Sequence, residues 1–214
     1  MSRAILGCVV LFSLLLNKPS LAQEFQSVPF FIRPQAKAML LRLQTVQQDL
    51  DLTNEQIEAI RKIQLPQMKA ADRERRLAEY AKDGLTASQS ARLEEIYLQT
   101  RGAQSLYDST IATRLRLSDD QKAKLAVEGK KYTDEWDAWW KVLQERPTDR
   151  EATKAWAQRV NLQRQAIMEQ FDDGAMSILS SEQRDQLKKL RGKPIDFSGE
   201  KNTGGGAARP RFPQ

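Results

Sequence analysis

Few residues in this chain combine the types and spacing that chemistry requires. Two adjacent carboxylate pairs, Asp119-Asp120 and Asp172-Asp173, come nearest to an acid/base dyad or a calcium site. Both stand where helices are expected to begin or fray, and neighbouring residues on a helix do not face one another, so neither pair converges on one atom. The chain has no histidine, and its one cysteine, Cys8, lies in a segment expected to be removed. That excludes zinc and copper sites built on imidazole or thiolate, and every histidine-dependent triad. No phosphate loop, nucleophile elbow or dinucleotide fingerprint occurs. The residues read as those of a non-enzyme without a cofactor or metal.

One concentration of large side chains remains: Tyr132, Trp136, Trp139 and Trp140. Three of the four fit the inward seam of a helix. Trp139 and Trp140 point about 100° apart, so at most one of them sits squarely on that seam. The expectation is core for most of the cluster, with one Trp exposed as a surface for clients or partners.

The elements that position these residues announce themselves through a phrase written four times, L-[ST]-x-x-Q-x-x-x-[LI]. Its copies start at Leu52-Thr53-Asn54-Glu55-Gln56, Leu85-Thr86-Ala87-Ser88-Gln89, Leu117-Ser118-Asp119-Asp120-Gln121 and Leu179-Ser180-Ser181-Glu182-Gln183. In each, the hydroxyl at Thr53, Thr86, Ser118 or Ser180 can accept the backbone N–H three residues on. The Gln at 56, 89, 121 or 183 can reach back to the cap's own N–H, completing a capping box. The preceding Leu is placed to staple the first turn, with Ile57 its partner in the first copy. Such an internal repeat implies a chain of helices.

The segments between caps support that reading. A first helix is expected from Pro34 through Met39, Leu40, Leu41, Leu43 and Val46 to about Leu50. A second runs from Thr53 to Asp83-Gly84, kinked or interrupted at Pro66, which lacks an N–H and clashes with the preceding turn. On it, Asp72-Arg73-Glu74-Arg75-Arg76 reads as a solvated face with an Asp72–Arg76 pair. A third runs from Thr86 to Leu106, with Asp108 recapping a short piece carrying Ile111 and Leu115. The fourth has the cleanest seam: Leu125, Gly129, Tyr132, Trp136, Trp139 or Trp140, and Leu143, in steps of three and four. It stops before Pro147. Thr148 or Asp149 caps the fifth, which carries Trp156, Val160, Ile167, Phe171 and Ile178, and Ser180 starts a short sixth ending at Gly192. The expected fold is all-α, with about six helices in long antiparallel hairpins, elongated rather than compact.

Residues 1–22 have the layout of a cleaved signal peptide: Arg3, an apolar run from Ala4 to Leu16, and Ser20-Leu21-Ala22 before Gln23. Ile5-Leu6-Gly7-Cys8 looks faintly like a lipoprotein site, but only seven residues precede Cys8. The mature chain is then exported, periplasmic or extracellular, with no transmembrane segment. The organisation follows as an apolar arm at 23–33, a first helical unit at 34–116, a second at 117–192 and a disordered tail at 193–214, Gly- and Pro-rich from about Ser198. Without Arg3 and Lys18 the 34 bases become 32 against 28 acids, so a net charge of +6 falls to +4. That excess is mild, and an exported protein is not expected to meet nucleic acid.

The fourfold phrase behind a signal peptide resembles the LTxxQ-motif family of small periplasmic helical proteins, the Spy/CpxP-like chaperones and stress proteins. The resemblance is closest from Leu117 to Leu190, and four motifs rather than two make the chain look like a tandem version. It implies a helical protein that holds unfolded chains on a concave apolar and basic surface, an ATP-independent holdase or envelope-stress protein, with homodimerisation open. Metal sensing through histidines, known among relatives, has no residues here to perform it. The alternative is a structural or regulatory protein-interaction module of the cell envelope without chaperone activity.

Overall fold

The structure, a computed structural model, describes residues 37–63 and 68–198. The expected signal segment and apolar arm, the expected helix start at Pro34, Pro66 and the tail beyond Ser198 lie outside the described residues. Those described are mostly helical, with no strand among them. A 3-10 helix at Lys37–Arg42 leads into α1 (Gln44–Asp49), α2 (Asn54–Ile63), α3 (Ala70–Asp83) and α4 (Ala87–Arg101). A second 3-10 helix at Gly102–Tyr107 leads into α5 (Ser109–Arg114), α6 (Asp119–Gln144), α7 (Arg150–Ser177) and α8 (Ser181–Arg191). The expected number of about six is therefore too low.

The extra elements come from breaks with physical causes. At 100° per residue, Leu40, Leu41, Val46 and Leu50 would point around most of one α-helix. A tight 3-10 turn followed by an extended Leu43 (φ −85°, ψ 128°) lets all four enter one core. The third expected helix ends early, at Gly102, whose φ of +52° breaks the α-helix before the 3-10 turn. Asp108 then recaps α5 as expected, its carboxylate accepting the N–H groups of Thr110 and Ile111. The second expected helix is two helices, α2 and α3. On α3, Asp72 pairs with Arg75 (3.3 Å) rather than with Arg76.

The chain repeats itself. Each element from Lys37 to Gln56 recurs 65 positions later: the 3-10 helices (37 to 102), α1 and α5 (44 to 109), and the capped starts of α2 and α6 (53 to 118). Equivalent side chains are buried in both copies, among them Ala38 and Ala103, Leu41 and Leu106, Val46 and Ile111, and Ile60 and Leu125. Both copies end the short helix with a left-handed residue, Asp51 (φ 52°) and Arg116 (φ 51°). The next N–H groups, of Leu52 and Leu117, reach back to Gln47 O (3.1 Å) and Ala112 O (3.0 Å). That is a Schellman stop, and the motif leucine is its apolar closing residue.

Two apolar clusters result. The first gathers Leu40, Leu41, Val46, Leu50, Ile60, Leu77, Leu93 and Ile96. The second gathers Leu98, Leu106, Tyr107, Ile111, Leu125, Tyr132, Trp136 and Phe171. α4 feeds both, Leu93 and Ile96 to one and Leu98 to the other. Residues 102–116 thus pack with the second cluster, although the sequence grouped them with the first unit. The tail also needs correction, because Ile195 and Phe197 are buried in the first cluster.

Among the described residues, α6 and α7 form the one long hairpin, of 26 and 28 residues. It is antiparallel: Tyr132 meets Phe171 (ring centroids 4.4 Å apart), and Trp139 Nε1 donates to Val160 O (2.9 Å). The first unit's α-helices, of 6 to 15 residues, are shorter than the long hairpins expected.

Candidate functional site

All four capping boxes are formed. Thr53 Oγ1 accepts the Gln56 N–H (3.3 Å) while Gln56 Oε1 accepts the Thr53 N–H (3.0 Å), and Thr86/Gln89, Ser118/Gln121 and Ser180/Gln183 repeat the exchange. Leu52, Leu117 and Leu179 are buried behind their caps, and Leu85 is half-buried.

The structure adds that the boxes are joined in pairs. Gln56 Nε2 donates to Gln89 Oε1 (2.9 Å), and Gln89 Nε2 returns a bond to Gln56 Oε1 (3.0 Å). Gln121 and Gln183 do the same at 2.7 and 3.1 Å. Spare amide protons close the turn before the partner helix: Gln56 Nε2 on Gly84 O, Gln121 Nε2 on Ile178 O and Gln183 Nε2 on Leu115 O. Each amide therefore caps its own helix and clamps its neighbour's approach. A glutamate could cap but could not return the bond, because a carboxylate only accepts. Gln at four positions out of four, where a capping box tolerates Glu equally, was the signal for this pairing.

The pairs also measure the hairpins. The paired glutamines are 33 residues apart in the first unit and 62 in the second, 29 more. Shared between two helices, that surplus lengthens the α6–α7 hairpin by about 22 Å. Between Trp136 and Val160 no residue is buried. The aromatic cluster runs from the base of this arm outwards. Tyr132 and Trp136 are core, edge-on to each other (5.9 Å). Trp139 is half-buried at 4.7 Å from Trp136, and Trp140 is 43% exposed. Trp156 Nε1 ties the outer arm by donating to Val142 O (3.2 Å). Two of the four are thus core, Trp139 is half-buried against them, and Trp140 is the exposed one. Gly129 is buried on the seam.

The carboxylate pairs have other occupations. Asp119 and Asp120 are exposed and pair with Lys122 (3.1 Å) and Lys124 (2.8 Å). Asp172 turns inward, where its Oδ1 accepts the N–H of Ala103 (2.9 Å) and pins the start of the second 3-10 helix. Burial pushes its carboxyl above the ordinary range, opposed by that N–H and by the nearby Arg191 guanidinium. Arg191 is pushed below its ordinary value by the same burial.

Among the described residues, no group of three or more acidic, His or Cys side chains could hold a metal ion, and no helix is long and apolar enough to cross a membrane. Compared with protein-family models, curated proteins and solved structures, the chain matches none.

Proposed function

We propose that this is a non-enzymatic, exported protein-interaction module of the cell envelope, whose working surface is the free part of the α6–α7 arm around Trp140. The observation that carries this reading is the arm itself. One of two repeated units has a hairpin 29 residues longer than the other needs, and none of its residues between Trp136 and Val160 is buried. A two-helix extension with half-buried Trp139 and exposed Trp140 presents an anchor of the kind that partner surfaces favour. The same reading makes the molecule elongated, with the arm projecting from the body.

The holdase reading rests on the resemblance of the capping motifs and on three exposed large apolar side chains, Val127, Trp140 and Leu162. Val127 lies thirteen residues from Trp140, about 20 Å along the rod, so these two belong to separate patches rather than to one client-binding groove. The two readings part in one experiment. With purified protein at equimolar ratio to an aggregating client, the interaction module leaves light scattering unchanged. In envelope extracts it retains one stoichiometric partner, which Trp140→Ser releases. Suppressed aggregation together with a broad smear of denatured clients would transfer the assignment to the holdase.

A further inference from the structure

The end of the described chain holds a recognition geometry unrelated to the arm. Lys193–Ser198 forms neither helix nor strand apart from a turn at Ser198, yet Ile195 and Phe197, each 7% exposed, are buried in the first apolar cluster. Asp196 between them is exposed, the in-out-in alternation of an extended peptide. One side chain of α4 reads the main chain. Gln99 Nε2 donates to Lys193 O (2.8 Å) and to Arg191 O (2.5 Å), and Gln99 Oε1 accepts the N–H of Ile195 (3.0 Å). Pro194 disfavours the helical region for Lys193 and so keeps α8 from continuing into the segment. Asp196 closes the far end by accepting the Ser198 N–H and hydroxyl, each at 2.8 Å. Main-chain bonds for affinity and alternate side-chain sites for specificity are the parts of an extended-peptide binding site.

The two units differ in how they are completed. The second cluster is filled by residues between Leu98 and Leu187, among them Tyr107, Tyr132 and Phe171, and takes none from beyond α8. The first takes two of its side chains from a segment that follows the last helix and is joined to it through Gly192 (φ +63°).

We propose that the first unit carries a peptide-binding site, that Lys193–Ser198 is its tethered ligand, and that the site takes in trans an extended segment of a partner protein with the pattern Pro-apolar-x-apolar. A tether of this length presents its ligand at an effective concentration of about 1 mM, so for a ligand binding at about 10 μM a competitor is weakened roughly 100-fold. The tethered segment is then a self-occupying gate, opened by a partner that binds more tightly or removes it.

The test uses the full chain with Ile195→Ser and Phe197→Ser, which vacates the site in place, and a fluorescent synthetic peptide of the sequence Lys-Pro-Ile-Asp-Phe-Ser. In anisotropy titrations the double variant should bind the peptide at least tenfold more tightly than the native chain. Adding Gln99→Ala, or replacing Ile and Phe in the peptide by Ala, should abolish binding. Circular dichroism should show the helical content of the double variant unchanged. A folded double variant that ignores the peptide overturns the proposal. So does loss of the helical fold, since the segment would then be integral core rather than a ligand. Equal binding to native and variant chains would place the peptide elsewhere. A native dimer that the two substitutions convert to monomer would make a second copy the occupant and refute a ligand tethered in cis.

Discussion

Gln183→Glu separates a helix cap from a clamp. In the native chain Gln183 Oε1 accepts the N–H of Ser180 (2.9 Å) and the amide of Gln121 (2.7 Å), and a carboxylate retains both roles. Its Nε2 donates to Leu115 O and to Gln121 Oε1, both at 3.1 Å, and these bonds are lost. Two half-buried neutral hydrogen bonds contribute about 1 kcal/mol each. A negative charge at the start of α8 returns about 0.3–1 kcal/mol through the helix dipole. Two acceptor oxygens left facing a carboxylate add a further cost, so the net loss should be about 1–2 kcal/mol at pH 7. If the glutamine served only as a cap, the same substitution would be neutral or slightly stabilising. The sign of the effect therefore decides the matter.

The pH dependence gives a second reading of the same variant. Protonation restores one donor to position 183, so the variant should regain part of the lost stability when that carboxyl is protonated. Relative to the native chain, the variant should then be more stable at low pH than at pH 7. Urea unfolding followed by circular dichroism at pH 4 and pH 7 measures both effects. A Gln183→Glu chain as stable as the native one at pH 7 would refute the clamp.

Three further outcomes follow from packing and backbone geometry. Trp136→Ala, at a 5% exposed core position, should cost about 3–5 kcal/mol, whereas Trp140→Ala should change stability by less than about 1 kcal/mol, compared by thermal unfolding. Gly102→Ala places a side chain at φ +52°, with its Cβ 3.0 Å from the Asp172 carboxylate that holds Ala103, and should cost about 1–2 kcal/mol in denaturant titrations. For Asp172, whose pKa burial raises, the contribution to stability is present below the ordinary carboxylate value and is lost as pH rises through the folded one. Between pH 4 and pH 7 the native chain should therefore lose stability relative to Asp172→Asn, and equal slopes would show that this carboxyl is not perturbed.

What the sequence made legible was chemistry confined to neighbours along the chain. The four motif caps, Asp108 and Asp149 each satisfy N–H groups two or three residues away, and α6 shows its 4-3 seam because one long face meets one long partner. Where several apolar residues must converge from different directions, periodicity loses its meaning, and Leu40, Leu41, Val46 and Leu50 were read as one helix for that reason. The left-handed Asp51 and Arg116 carry no glycine to betray them; their conformation is imposed by the Schellman stop that turns the motif leucine inward. Ile195 and Phe197 were missed because two apolar residues ahead of a Gly-rich stretch look like the start of a tail. Their burial depends on Gln99, more than ninety positions away, reading their backbone. The four glutamines fall between these cases. Their identity was visible, and a preference for an amide where a carboxylate caps equally well pointed to a partner. Which two would meet could only be settled by folding, and the α6–α7 arm follows from that pairing, since its surplus length is measured between the paired glutamines.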